Sequence, residues 1–318
     1  MKPPYHISQN ILQLISSISE KIGAIEAVHL SRPPTELRKK NRIKSIQSSL
    51  EIEGNVLSEN QITALIECKR VIAPQKDILE VENAIRLYDQ LQTFNCLDVN
   101  SLFKAHKILM RGLIENAGNF RTKNVGIIKG SKVEHMAPKS SMVKALINSL
   151  FDYLGNYNDI SLIKSCVFHY EFEFIHPFSD GNGRIGRLWQ NLILMRDYPV
   201  FEILPVENMV KRNQEDYYAS LAESDKTGHS TPFIEFMLLM IDRSLEELQQ
   251  TRAEKLTTEK RLMKFKGKQA NKLFSRKDYL QLFKEISQAT ASRDLKWGVE
   301  KNILIKTGDK RKTSYQFH

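Results

Sequence analysis

The segment His176-Pro-Phe-Ser-Asp180-Gly-Asn-Gly-Arg184-Ile-Gly-Arg187 packs more chemistry into twelve residues than any other part of this chain. Gly181 and Gly183 free the backbone to approach a ligand closely and to turn N–H groups inward. The pattern that follows predicts a helix from about Arg184 to Arg196. A glycine-rich turn running into a helix N-terminus is an anion site, because unpaired N–H groups and the helix dipole both favour negative charge. Arg184 and Arg187 are three apart and share a helix face. Two guanidinium groups beside such a turn suit a polyphosphate better than a single carboxylate. Asp180 would repel phosphate unless a divalent cation bridges them, and one carboxylate plus phosphate oxygens is a usual magnesium arrangement. A neutral imidazole at His176, the loop entrance, can take a proton from an attacking hydroxyl.

Two other readings compete. Gly181-Asn-Gly-Arg-Ile-Gly186 satisfies the GxGxxG pattern, but a dinucleotide fingerprint needs a βαβ unit around it, and the preceding stretch from Ser161 is helix-like. The other is a plain helix start with a capping turn and solvated arginines. Each residue alone fits that; His, Asp, Asn, Gly and Arg together do not.

Working outward, the chain reads as mostly helical. Helices are expected over 35–53, stopped by Gly54 and Asn55, and from a capping box at Ser58 and Gln61 to about Lys69. Asp77–Phe94, Val99–Ile114, Val143–Tyr153, Ser161–Ile175, Glu215–Ala222 and Pro232–Leu256 follow the same period. Residues 116–142 break it: NVGII, a Lys-Gly-Ser-Lys turn and VEHMA predict a small β-hairpin.

With 318 residues the chain is expected to hold about two domains. Its net charge of +10 is unevenly spread: residues 252–318 carry 18 Lys/Arg and 7 Asp/Glu, or +11, leaving −1 for the rest. A basic second unit that meets a polyanion follows from this. No apolar run is long enough for a membrane span, and MKPPYHISQNIL has no leader pattern. Cys68, Cys96 and Cys166 form no CxxC pair, which argues against zinc or disulfides and fits reduced thiols in a cytoplasm.

HPFSDGNGRIGR matches at every defining position the HxFx[D/E]GNGRxxR signature, and the chain thereby resembles Fic-domain proteins. The resemblance implies a mainly α fold, a Fic-type helical bundle with a β-hairpin flap. It also implies transfer of AMP from ATP to a protein hydroxyl. On that basis His176 is the general base and Phe178 a buried anchor for the loop. Asp180 holds Mg²⁺ on the α- and β-phosphates. Gly181, Asn182 and Gly183 form the anion hole, and Arg184 and Arg187 hold the β- and γ-phosphates. The hairpin takes the place of the flap that pairs with a target's backbone by strand addition; an ordinary surface hairpin is the alternative. Ser49-Leu-Glu-Ile-Glu53-Gly54 resembles the family's inhibitory helix motif. Glu53 would then pair with Arg187 where the γ-phosphate belongs, with Ser49 steadying the helix.

Beyond a polar, Lys-rich linker expected around Thr257–Asn271, residues 275–318 resemble the winged helix-turn-helix that follows many Fic domains. Arg293 and Lys296 on the recognition helix and Lys306, Lys310, Arg311 and Lys312 on the wing would meet DNA phosphates. Packing on the core, or contacts in a homodimer, are the alternatives. The expected division is an N-terminal helical region with the inhibitory helix (1–110, the helix about 35–54), a catalytic core (111–256), and the linker with the winged helix (257–318). The expected function is that of a self-inhibited protein adenylyltransferase using ATP and Mg²⁺ on a Ser, Thr or Tyr hydroxyl of a target protein. A DNA-binding regulator with a nucleotide-sensing core, and an enzyme that also removes AMP, are its rivals.

Overall fold

Residues 161–175 (SLIKSCVFHYEFEFI) carry apolar side chains on nearly every side of the helix they form, and such a helix has to be enclosed by others. In the computed structural model Leu162, Ile163, Cys166, Val167, Phe168, Phe172 and Ile175 are all buried. The structure describes residues 2–28, 35–129, 132–253, 258–269, 273–283, 286–308 and 313–318. The chain divides into two units, Met1–Gln249 and Gln250–His318.

The first unit runs α1 (Gln9–Val28), α2 (Thr35–Ile52), α3 (Glu59–Ile66), α4 (Gln75–Asp89), α5 (Val99–Leu109), β1 (Gly126–Lys129), β2 (Lys132–Met136), α6 (Val143–Asn156), α7 (Ser161–Ile175), α8 (Asn182–Asp197), α9 (Val206–Arg212), α10 (Gln214–Thr227) and α11 (Thr231–Ala253). α7 and α8 pack together, and Gly186 permits it: a Cβ there would lie 2.9 Å from the His169 ring. The helix α1, which the periodicity reading passed over, buries Ile11, Ile18, Ile22 and Ile25 on one face. α8 begins at Asn182, two residues before the expected Arg184, because Gly181 takes the left-handed cap conformation with φ +81°. α2 closes in a Schellman turn: Gly54 donates to the Glu51 carbonyl and Asn55 to the Leu50 carbonyl, both at 3.1 Å, with Gly54 at φ +94°. The capping box at Ser58 and Gln61 forms as expected. β1 and β2 pair antiparallel with a bulge between Ile127 and Ile128; Gly130 and Ser131, in the expected turn, lie outside the described residues.

The second unit holds α12 (Thr258–Gln269), α13 (Arg276–Leu282), α14 (Gln288–Glu300) and the antiparallel pair β3 (Leu304–Thr307) and β4 (Ser314–Phe317). It has its own core, including Leu262, Phe265, Phe274, Tyr279, Leu295, Leu304 and Phe317. The stretch expected as a linker is therefore mostly helix. Among its described residues just Leu262 and Phe265, three apart in sequence, are buried, amid exposed lysines such as Lys260 and Lys264. Buried Asp294 on α14 ties the helices: it accepts from Arg261 Nε at 2.6 Å, Thr258 Oγ1 at 2.7 Å and Tyr279 OH at 3.2 Å. Lys310, Arg311 and Lys312 lie outside the described residues.

Candidate active site

α7 stops at Ile175 and the next residue, His176, turns the chain with φ +48°, a left-handed conformation that costs a branched-free side chain energy and needs support. Buried Arg121 supplies it. Its Nε donates to the His176 carbonyl at 2.7 Å, Nη2 to the Ile175 and Pro138 carbonyls, and Nη1 to the Lys123 carbonyl at 2.8 Å. Lys123 and Pro138 flank the β1–β2 hairpin, so one guanidinium joins the turn at His176 to the base of the hairpin. Burial lowers the Arg121 pKa from its ordinary value.

Phe178 is fully buried and stacks on His106, ring centroids 3.6 Å apart and planes 6° from parallel. The Gly118 N–H donates to His106 Nδ1 at 2.8 Å, so the ring proton sits on Nε2, which donates to the Asp180 carbonyl at 2.9 Å. Burial pushes the His106 pKa down to about 4 and keeps the ring neutral. Asn182 directs its side chain at the loop itself: Oδ1 accepts from the Phe178 N–H and Nδ2 donates to the Phe178 carbonyl, both 2.9 Å. With the side chain so engaged, what Asn182 has to offer an anion is its backbone N–H at the start of α8.

Both signature arginines are buried and both face carboxylates. Arg187 Nη2 donates to Glu53 Oε1 at 2.7 Å and to the Ser49 carbonyl at 2.9 Å, and its Nε reaches Ser49 Oγ at 3.2 Å. Burial alone would lower the Arg187 pKa; the charge and hydrogen bond of Glu53, together with Tyr217 and Glu173, outweigh it and the pKa rises. The carboxylate sits in the space Gly183 leaves open, where a Cβ would come within 2.5 Å of Glu53 Oε1. Arg184 meets Glu80 Oε1 at 3.4 Å and Asp180 Oδ1 at 3.2 Å, while its buried Nε has no partner among the described residues.

A cleft of about 270 Å³ opens beside these groups. Glu53, His176, Asp180, Gly181, Asn182, Gly183 and Arg187 line one part of it, and Tyr170, Glu173, Phe174, Tyr217, Tyr218 and Asp225 another. Of the signature and inhibitory-motif residues given roles in the sequence, Phe178, Arg184 and Ser49 are not in its wall. Tyr217 is buried and lies 3.0 Å from His169 Nε2, so it is a packed wall residue. Arg121, His106 and Glu80 carry no motif and escape sequence reading; a lone polar residue on an apolar helix face was the only trace of His106 and Glu80, and Arg121, in the loop before β1, left none.

The side chain of Asp180 is half exposed, and both bonds it accepts, from Gly181 N and Arg184 Nη2, fall on Oδ1. Among the described residues no three His, Cys, Asp or Glu side chains group around a metal position. A lone carboxylate fits Mg²⁺ where phosphate oxygens and water complete the octahedron.

The family model described as the Fic/DOC family matches residues 96–194, which contain His106, Arg121 and the whole 176–187 loop. A protein adenylyltransferase fic-1 of Caenorhabditis briggsae is 30% identical over 214 residues, 63% of this chain and 40% of that one. A protein adenylyltransferase Fic of Nematostella vectensis is 27% identical over 253 residues, 76% of this chain and 56% of that one. The chain thus spans about half the length of these curated relatives. A crystal structure of a Fic family protein from Desulfovibrio desulfuricans G20 superposes with a TM-score of 0.78 at 37% identity, covering 100% of this chain and 98% of that one. Fic-1 of C. elegans shares the fold at a TM-score of 0.62 and 22% identity over 76% of this chain. A 37% identical relative matched from end to end, together with an intact signature on a left-handed turn between two packed helices, means that this chain belongs to the Fic family.

Proposed function

We propose that the protein is a self-inhibited adenylyltransferase that moves AMP from ATP to a hydroxyl of a target protein. One observation carries the reading: a protein carboxylate, Glu53, occupies a buried guanidinium at the mouth of a glycine turn. A site that attracts an anion so strongly suits the terminal phosphate of a nucleotide, which competes with Glu53 for Arg187. The names of the relatives supply the reaction class.

His176 accepts the proton of the target hydroxyl as its oxygen attacks the α-phosphorus. The bond from that phosphorus to the bridging oxygen breaks, and pyrophosphate leaves. The Gly181–Gly183 backbone N–H groups and Arg184 receive the developing charge. Bound Mg²⁺, held by Asp180, would neutralise charge on the α- and β-phosphates. The hairpin above Arg121 presents the target by strand addition. Purified His176→Ala should lose about 10²–10⁴-fold of transfer while Mg·ATP binding, read by calorimetry, stays near that of the parent. Near-normal incorporation of labelled AMP by His176→Ala would overturn the assignment. If the Glu53→Gly chain strips AMP from a modified target less well than the parent, removal of AMP becomes the better reading.

We infer separately that the second unit is a winged helix-turn-helix that binds DNA. Its support is the α14 face on which Arg293 and Lys296 are exposed while Asp294 and Leu295 turn inward.

A further inference from the structure

The end of α2 reaches both signature arginines, one directly and one through an intermediate. The Schellman turn places Glu53 at the helix end and Asn55 two residues on. Glu53 takes Arg187. Asn55 Nδ2 donates to Glu80 Oε2 at 2.9 Å and to the Asp77 carbonyl at 3.1 Å. The other oxygen of Glu80, Oε1, faces Arg184 Nη1 at 3.4 Å, with Lys76 Nζ at 4.0 Å from the same atom. Glu80 lies on α4 and is buried, so its charge is little screened by water.

We propose that Glu80 is the second carboxylate of the inhibitory arrangement, holding Arg184 as Glu53 holds Arg187. The inference rests on the reading of this loop as a nucleotide site. Three features carry it. First, Asn55 pins Glu80 from behind, so the carboxylate stays in place when the Arg184 guanidinium turns toward a phosphate. Second, the two carboxylate contacts of Arg184, at 3.4 and 3.2 Å, are long for charge-assisted bonds, and its buried Nε has no partner among the described residues. Arg184 is thus held in waiting, with donor capacity to spare for a stronger acceptor. Third, Asn55 belongs to the same turn that aims Glu53, so one helix end sets both carboxylates. A phosphate must break the Arg184–Glu80 pair as well as the Arg187–Glu53 pair. Glu80 is a positioning residue that acts on nucleotide affinity, and it touches no reacting atom.

The test is calorimetric titration of Mg·ATP into the full chain and its variants, so that no transfer reaction is needed. Glu80→Gln keeps an acceptor for Asn55 and removes the negative charge that holds Arg184. It should tighten Mg·ATP about three- to tenfold, the loss of a long charge-assisted bond at a factor of ten per 1.4 kcal/mol. Combined with Glu53→Gly the gains should multiply, because the two act on different arginines. In the Glu53→Gly background the effect should fall on KM for ATP and leave kcat within about twofold. Asn55→Ala in that background guards against a Glu80→Gln chain that fails to fold. The freed carboxylate can then close on Arg184, so affinity should fall, and it should do so only while Glu80 is present. If Glu53→Gly binds Mg·ATP tightly but Glu80→Gln binds as the parent does or more weakly, the Glu80 inference is wrong and the nucleotide reading stands. If neither variant nor the parent binds Mg·ATP, both fall together.

Discussion

His106 takes the Gly118 N–H on Nδ1 and gives its Nε2 proton to the Asp180 carbonyl, so a second proton can enter only by breaking the Gly118 bond. With the ring fully buried, its pKa falls to about 4 from the 6.5 usual in an unfolded chain. The unfolded state therefore binds the extra proton first as pH drops. The stability this neutral histidine confers is complete above about pH 6.5 and is lost as pH falls toward 4. Between pH 7 and pH 5 its share of that loss is about 2 kcal/mol. Gln at 106 cannot titrate, so His106→Gln should lose about 2 kcal/mol less than the parent over the same interval. Urea midpoints at the two pH values give the comparison. Equal losses in parent and variant would show that His106 is not the neutral, buried ring described. The same residue holds the carbonyl of Asp180, which makes the loop conformation a function of a side chain 74 positions away.

Among the elements, α2 is fastened along its whole length. Asn41 Nδ2 donates to the Ile203 carbonyl, Ser45 Oγ to buried Glu207, and Gln214 Nε2 to the Ile52 carbonyl. Ile43, Ile46, Leu50 and Ile52 are buried beneath it. None of these contacts involves the Glu53 carboxylate, so under the proposed self-inhibition its removal should act by vacating Arg187 and not by withdrawing the helix. A charge-assisted pair of about 1.5–3 kcal/mol corresponds to roughly a ten- to hundredfold gain in AMP incorporation for Glu53→Gly. Hydrogen exchange in α2 should stay slow in that variant. A large gain accompanied by rapid exchange along α2 would mean that the helix detaches after all. What the sequence revealed of this arrangement follows from distance along the chain. Ser49, Glu53 and Gly54 fall within six residues and His176 to Arg187 within twelve, short enough for each stretch to be matched to a motif of the family the chain resembles. Arg121 pairs with residue 176, and Glu80 with residue 184 at a separation of 104. No local pattern encodes such pairs. α12 was hidden differently, by lysines on its exposed face that gave the stretch the composition of a linker.

At the scale of the whole molecule the charge divides with the two units. Residues 252–318 carry +11 and the remainder −1, and each unit has its own apolar core. The signature, the hairpin and the inhibitory motif all lie before residue 250, so a Glu53→Gly chain lacking residues 257–318 should keep measurable AMP incorporation. DNA binding should go with the deleted segment. Affinity built on phosphate contacts falls with salt, with a slope of about −0.9 per contact in a plot of log K against log salt on duplex DNA. Arg293 is exposed on α14, and Lys296, also exposed, pairs with Glu300 at 3.7 Å, a surface pair that a phosphate displaces at little cost. Replacing both by Ala should therefore flatten the slope by about two and weaken binding to unrelated sequences alike. Asp294 stands between them in sequence but faces the interior, where it accepts from Arg261, Thr258 and Tyr279. Asp294→Ala should unfold the second unit, so the double variant has to be shown to keep its thermal transition before the slope is read. A slope that is unchanged by Arg293→Ala with Lys296→Ala in a folded protein would remove α14 from the DNA surface, and a salt-independent affinity would remove phosphate contacts as its origin.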